Sequence, residues 1–168
     1  MGRRPQIVVI GSSTASETEM EAARAAGAVI AALPATLICG GRGGVMAAAS
    51  RGAENAGGMV VAILPGSDFS EANAYCDVVL PTGIGYARNL SNILAGDAVV
   101  VIGGASGTLS ELAYAWQFGK PLFAWKGTGG VADQYAGKRV DRRRNERIVP
   151  VEGAEELKVQ LKQLLLDF

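Results

Sequence analysis

The sequence predicts an α/β fold, a doubly wound parallel sheet with helices on both faces. Three observations carry this. Short β-branched runs alternate with longer Ala-rich helical patterns along the chain. One run, Ala98–Ile102 (AVVVI), is apolar throughout, as a strand buried on both faces requires. Three runs end in turns rich in glycine and hydroxyls, and each turn leads into a helical pattern.

Gln6–Ile10 (QIVVI) reads as the first strand, ending on Gly11-Ser12-Ser13-Thr14. Ser16 and Glu19 then fit a capping box, opening a helix with Met20, Ala23, Gly27, Ile30 and Leu33 on one face. Pro34 ends it. Thr36–Cys39 is a second strand, followed by Gly40-Gly41-Arg42-Gly43-Gly44 and a helix to about Ala56, with Gly57-Gly58 as its stop. Met59–Leu64 is a third strand and Asp77–Leu80 a shorter fourth. Gly85–Ala95 is helical in pattern. After Ala98–Ile102, the turn Gly103–Thr108 opens a helix through Phe118, which Gly119 and Pro121 punctuate. Pro121–Trp125 and Ile148–Val151 read as the last strands. A closing helix spans about 153–166, with Leu157, Leu161, Leu164 and Leu165 as its stripe.

Length and composition bound the rest. At ~150 residues per domain, 168 residues make one, taken as 1–168 with no repeat. Charge balances at 16 basic against 16 acidic residues, which disfavours a nucleic-acid partner. There is no His, so triads and His general bases are excluded. Cys39 and Cys76 are too few for a structural zinc site and read as reduced, small hydrophobes; no metal site is expected. Ile7–Ile10 is short for a signal-peptide core, and Ala25–Gly41 is broken by Pro34. The expectation is a cytoplasmic protein without a membrane partner. Lys138–Arg147 holds six basic and two acidic residues in ten. It reads as a solvated loop or, more sharply, as an anion-contacting lid.

The candidate site follows from the three turns. In such sheets ligands sit beyond the carboxyl ends of the strands, where strand order reverses. A helix N-terminus offers free N–H groups and partial positive charge, and glycines let a phosphate approach the backbone. Gly11, Ser12, Ser13, Gly40, Gly41, Arg42, Gly43, Gly44, Gly103, Gly104, Ser106, Gly107 and Thr108 are therefore the candidate phosphate- or nucleotide-binding residues. None of the turns is G-x-G-x-x-G or a P-loop.

Cys-Gly-Gly-Arg-Gly-Gly-Val-Met (39–46) and Gly-Gly-Ala-Ser-Gly-Thr-Leu-Ser-Glu (103–111) resemble the two signatures of the Lonely Guy (LOG) proteins, long labelled lysine decarboxylases. The similarity covers about residues 6–125. It implies a Rossmann-like domain and a nucleoside 5′-monophosphate phosphoribohydrolase, which releases a base and ribose 5-phosphate without a cofactor. Carried over, the catalytic pair is Arg88 and Glu111, with Gly43, Gly44, Gly107 and Thr108 cradling the phosphate. A carboxylate beside C1′ suits an oxocarbenium-like transition state, and an Arg suits a phosphate or that carboxylate. The usual Pro is Gly103 here, the second Gly is Ala105, and the basic residue after the Arg is Asn89. These departures resemble a shorter sister group that includes molybdenum cofactor carrier proteins, which implies a non-catalytic phosphopterin carrier as the alternative. Either resemblance implies a homo-oligomer, a dimer or tetramer, and a phosphorylated small molecule as partner.

Plainer readings stand beside these. Thr108-Leu-Ser-Glu111 also fits a T-x-x-E capping box. Arg88 and Arg42 also read as surface residues, and Ser12 and Ser13 as helix caps. Trp116, Trp125 and Met46 read as packing residues, while the Tyr114–Phe118 stretch offers apolar surface for self-association.

Overall fold

The structure, a computed structural model, describes residues 2–166 and 168. Seven strands form one sheet: β1 (Gln6–Gly11), β2 (Thr36–Cys39), β3 (Met59–Leu64), β4 (Val78–Pro81), β5 (Ala98–Ile102), β6 (Leu122–Trp125) and β7 (Val149–Val151). Their order is β4-β3-β2-β1-β5-β6-β7, and every neighbouring pair is parallel. The chain builds outward from β1 to β4, then returns to place β5 on the other side of β1. Strand order therefore reverses between β1 and β5, where Ile10 pairs with Val101 and Gly11 with Ile102. A crevice opens at that point because the helices leaving the two strands go to opposite faces.

The period of two in the strands assigns their side chains. Ile7 and Val9, with Ala98, Val100 and Ile102, join a core beneath α1 (Glu17–Ala31), α2 (Val45–Asn55) and α6 (Ala154–Leu165). Val8 and Ile10, with Val99 and Val101, join a second core. That core lies beneath α3 (Arg88–Leu94), α4 (Ser106–Gln117) and α5 (Gly130–Tyr135). Both faces are thus covered, which is why β5 carries no polar residue.

The capping box at α1 forms as the sequence predicts: Glu19 N–H donates to Ser16 Oγ at 3.2 Å, and Ser16 N–H to Glu19 Oε2 at 2.8 Å. Two glycines set the approach of α1 to α2. A Cβ on Gly27 would run into Ala49 O, and one on Gly52 into Arg24 O. The helices therefore touch backbone to backbone. The expected closing helix is α6, with Gly153 and Leu166 as its caps. Helix α5 has no counterpart among the sequence expectations, since its six residues are too few to show a helical period.

Candidate functional site

A cavity of about 530 Å³ opens at the β1/β5 switch point. Its walls come from the three predicted turns and from one face of α3. Gly11, Ser12, Ser13, Gly40, Arg42, Ser106, Gly107 and Thr108 line it, as do Arg88 and Glu111.

The N-terminal end of α4 leaves backbone donors unpaired among the described residues. Its N-cap is Ala105, which has no side chain to satisfy the first amides. Leu109 N–H donates to Ala105 O at 2.9 Å, but the N–H groups of Ser106, Gly107 and Thr108 have no protein partner among the described residues. Ser106 and Gly107 are exposed, and a Cβ on Gly107 would meet nothing within 4 Å. The missing side chain at Gly107 is open volume over the helix N-terminus, where partial positive charge favours a phosphate.

The remaining candidate glycines shape the cavity from behind. Gly44 adopts φ +60° as the N-cap of α2, and a Cβ there would run into Ser12 O. Val45 N–H donates to Ser12 O at 3.0 Å, tying the first two turns together. Gly41 faces Ala62 and Leu64, and its N–H approaches Cys39 Sγ at 3.3 Å. Gly103 adopts φ +52°, which the Pro usual in the resembling signature cannot. Its N–H donates to Thr128 Oγ1 at 2.9 Å. Gly104 N–H reaches Glu19 Oε1 at 3.4 Å. Gly41, Gly43, Gly44, Gly103 and Gly104 do not line the cavity.

The structure corrects the plainer readings of the two charged candidates. Glu111 is not a capping-box residue, because α4 begins at Ser106 and places it in the second turn. It is 8% exposed and accepts from Asn92 Nδ2 at 2.8 Å. Burial pushes its carboxyl up to about 7, against the opposing pull of the Asn92 hydrogen bond and the Arg88 charge. Arg88 is not a surface arginine. Its Nη1 donates to Gly40 O at 2.7 Å and Ile63 O at 2.6 Å, clamping the carboxyl ends of β2 and β3. Burial lowers its pKa. Among the described residues no ion pair joins Arg88 to Glu111.

Ser12 and Ser13 are not the caps of α1, since Ser16 is. Met46 is buried and also lines the cavity. Trp116 is buried and so removed from the apolar surface expected of Tyr114–Phe118, whereas Phe118 is 52% exposed. The cysteines form no disulfide, and Cys76 is only half-buried. Among the described residues no three His, Cys, Asp or Glu side chains gather to hold a metal ion. No described helix is long and apolar enough to cross a membrane.

The basic loop settles against the far end of α4. The Arg144 guanidinium stacks on Trp116, 4.4 Å from the ring centroid, and Trp116 Nε1 donates to Asp141 Oδ1 at 2.8 Å. Trp116 lies ten residues from Ser106, roughly 15 Å along the helix at about 1.5 Å per residue. No residue of 138–147 lines the cavity.

Asn92, Asn89 and Tyr86 line the cavity without having been singled out as site residues. Arg88, Asn89 and Asn92 lie one and four apart in a short helix whose Ile93 is core. That spacing is the signal that finds Asn92, since i and i+4 share a helix face.

Comparison with known proteins agrees with this architecture. The profile of the SLOG cluster4 family matches residues 4–157. An uncharacterised protein of Archaeoglobus fulgidus is 40% identical over 121 residues, 72% of this chain and 80% of its own length. The molybdenum cofactor binding protein of Rippkaea orientalis superposes with a TM-score of 0.86 at 30% identity, covering 97% of this chain and 98% of that one. The molybdenum cofactor carrier protein of Chlamydomonas reinhardtii gives 0.84 at 30% identity, covering 98% and 99%.

Proposed function

This chain belongs to the SLOG cluster4 family, and we propose that it binds a phosphate-bearing small molecule in the switch-point cavity, the molybdenum cofactor being the ligand its relatives suggest. The observation that carries this reading is the first turn of α4. Three unpaired amides face a cavity of about 530 Å³, with Gly107 leaving the approach open. That volume lies within the ~300–1,000 Å³ of small-molecule sites. Ser12 and Ser13 add hydroxyl donors, and Arg42 adds charge at the rim. The phosphate is held by backbone N–H groups, and the organic part of the ligand extends toward α3. In this reading the cofactor is cargo, and its molybdenum needs no protein ligand set. The test is calorimetric titration with molybdopterin and with its dephosphorylated form. Saturable binding of the first and loss in the second supports the proposal; equal binding of both refutes it.

Glu111 favours a second reading. A cavity carboxyl poised near neutrality serves either as a proton donor or as a base. In a nucleoside 5′-monophosphate it would take a proton from the water that adds at C1′ and pass it to the base as the C1′–N bond breaks, giving free base and ribose 5-phosphate. Ribose 5-phosphate release that vanishes in Glu111→Gln supports hydrolysis. Binding without release leaves the carrier reading alone. Both readings extend to self-association through the apolar side chains exposed near α3, where Ile84 is 51% and Tyr86 93% exposed. Light scattering on the purified chain reads the assembly directly.

A further inference from the structure

The chain has two cysteines, Cys39 and Cys76, and the fold brings them together. Cys39 ends β2 and is 0% exposed. Cys76 is half-buried in the loop before β4 and packs on the core cluster that holds Cys39. The two thiols are hydrogen-bonding neighbours. A polar chain runs beside them. Cys39 Sγ lies 3.4 Å from Ser50 Oγ, and Asn73 Nδ2 donates to that hydroxyl at 3.5 Å. Cys76 S–H donates to Asn73 Oδ1 at 3.4 Å. Asn73 also holds the cavity turn: its Nδ2 donates to Arg42 O at 3.1 Å and its backbone N–H to Gly41 O at 2.7 Å. Arg42 lines the cavity. Packing alone does not call for a second sulfur beside the first, since a buried Cys serves as a small hydrophobe by itself.

We propose that Cys39 and Cys76 are a reversible dithiol–disulfide pair, closed by a small-molecule disulfide such as oxidised glutathione, and that Asn73 relays its state to the Arg42 turn of the cavity. Cys76, the accessible member, attacks one sulfur of the small disulfide and expels a thiol. Cys39 then attacks Cys76 Sγ and expels the second thiol. One S–S bond breaks and one forms. The protein is oxidised by two electrons, the small disulfide is reduced by two, and the protons of both cysteines end on the expelled thiols. Cys76 lies outside any helix or strand, so its loop supplies the movement the bond needs. Closure takes the S–H from Asn73 Oδ1 and loosens the amide that holds Arg42 O. The cavity therefore has a dithiol form, the one described above, and a disulfide form.

Incubation of the folded full chain with oxidised glutathione, read by intact mass and peptide mapping, tests the pair. Wild type should lose two hydrogens in mass, retain no glutathione and yield a peptide joining Cys39 to Cys76. Excess reduced glutathione should restore the dithiol. Cys39→Ala should stop with one glutathione on Cys76, because the resolving thiol is gone. Cys76→Ala should stay unmodified, because Cys39 is closed to solvent. The wild-type result decides by itself should either variant not fold. Thiols that stay free in the folded protein, or a glutathione adduct that does not resolve, overturns the pair. Amide NMR of the two forms tests the relay. The Asn73 side-chain amide and the Arg42 N–H should shift on oxidation, and the Arg42 shift should shrink in Asn73→Ala. An Arg42 resonance that does not move, or that moves equally in Asn73→Ala, overturns the relay and leaves the disulfide standing.

Discussion

Glu111→Gln should stabilise the protein above neutral pH and do almost nothing in acid. The carboxyl is buried in the wall of the cavity and pushed up from 4.5 to about 7. A group whose folded-state pKa is raised above its unfolded value binds its proton more tightly in the fold. Stability is therefore lost as pH rises from the unfolded pKa through the folded one, and it levels off above about 7. At about 1.4 kcal/mol per pH unit, this shift corresponds to roughly 3 kcal/mol lost between pH 4 and pH 8 from this group alone. Gln keeps the oxygen that accepts from Asn92 and never ionises. The variant should match wild type within about 0.5 kcal/mol near pH 4 and exceed it by roughly 3 kcal/mol at pH 8. For a domain of this size that is a rise in Tm of roughly 6–12 °C. Urea denaturation of both proteins at pH 4.5, 6.5 and 8 reads the difference. A stability difference that does not change with pH would falsify the placement of Glu111 as a buried, titrating carboxyl.

Further substitutions separate the site from the scaffold. Gly107→Ala, at a helical position with open space around its missing Cβ, should leave Tm unchanged or slightly higher. It should also weaken phosphate-ligand binding by about tenfold or more, because a methyl then occupies the approach to the α4 amides. Gly52→Ala places a Cβ against Arg24 O across the α1–α2 contact and should cost about 1–3 kcal/mol in denaturant melts. Arg88→Met removes the clamp on Gly40 O and Ile63 O and should cost about 2–4 kcal/mol, with faster amide exchange at the ends of β2 and β3. Arg144→Ala loses a stack on Trp116 worth about 1 kcal/mol and should leave ligand affinity as it was, since its loop lies away from the cavity.

The sheet was legible because its signals are local. A fully apolar Ala98–Ile102 and the alternating runs around it fix strands buried on both faces, and the Ser16–Glu19 box fixes the start of α1. The turns at Gly11, Gly40 and Gly103 marked the crevice for the same reason. Glycine was a weaker guide to which residues face a ligand. Gly44 is pressed against the Ser12–Ser13 backbone and Gly104 against the Thr108 side chain, whereas Gly107 leaves open volume, and one letter covers both roles. The Thr108–Glu111 spacing misled because a capping box is recognised only once the helix start is known, and α4 starts two residues before Thr108. Asn92 was legible only in part: its spacing from Arg88 puts it on the same helix face, but its significance lies in a contact with a residue nineteen positions away. The basic loop read the same as lid or solvated surface until Trp116, at the far end of α4, was seen to hold it.

The central claim is that the first turn of α4 holds the ligand's phosphate. Phosphorus NMR of a pterin monophosphate, titrated with wild type and with Gly107→Ala, tests it most directly. Wild type should shift and broaden the resonance to saturation at concentrations where the variant, binding about tenfold or more weakly, leaves it little changed. A resonance that wild type leaves unchanged, or that both proteins shift alike, would contradict it.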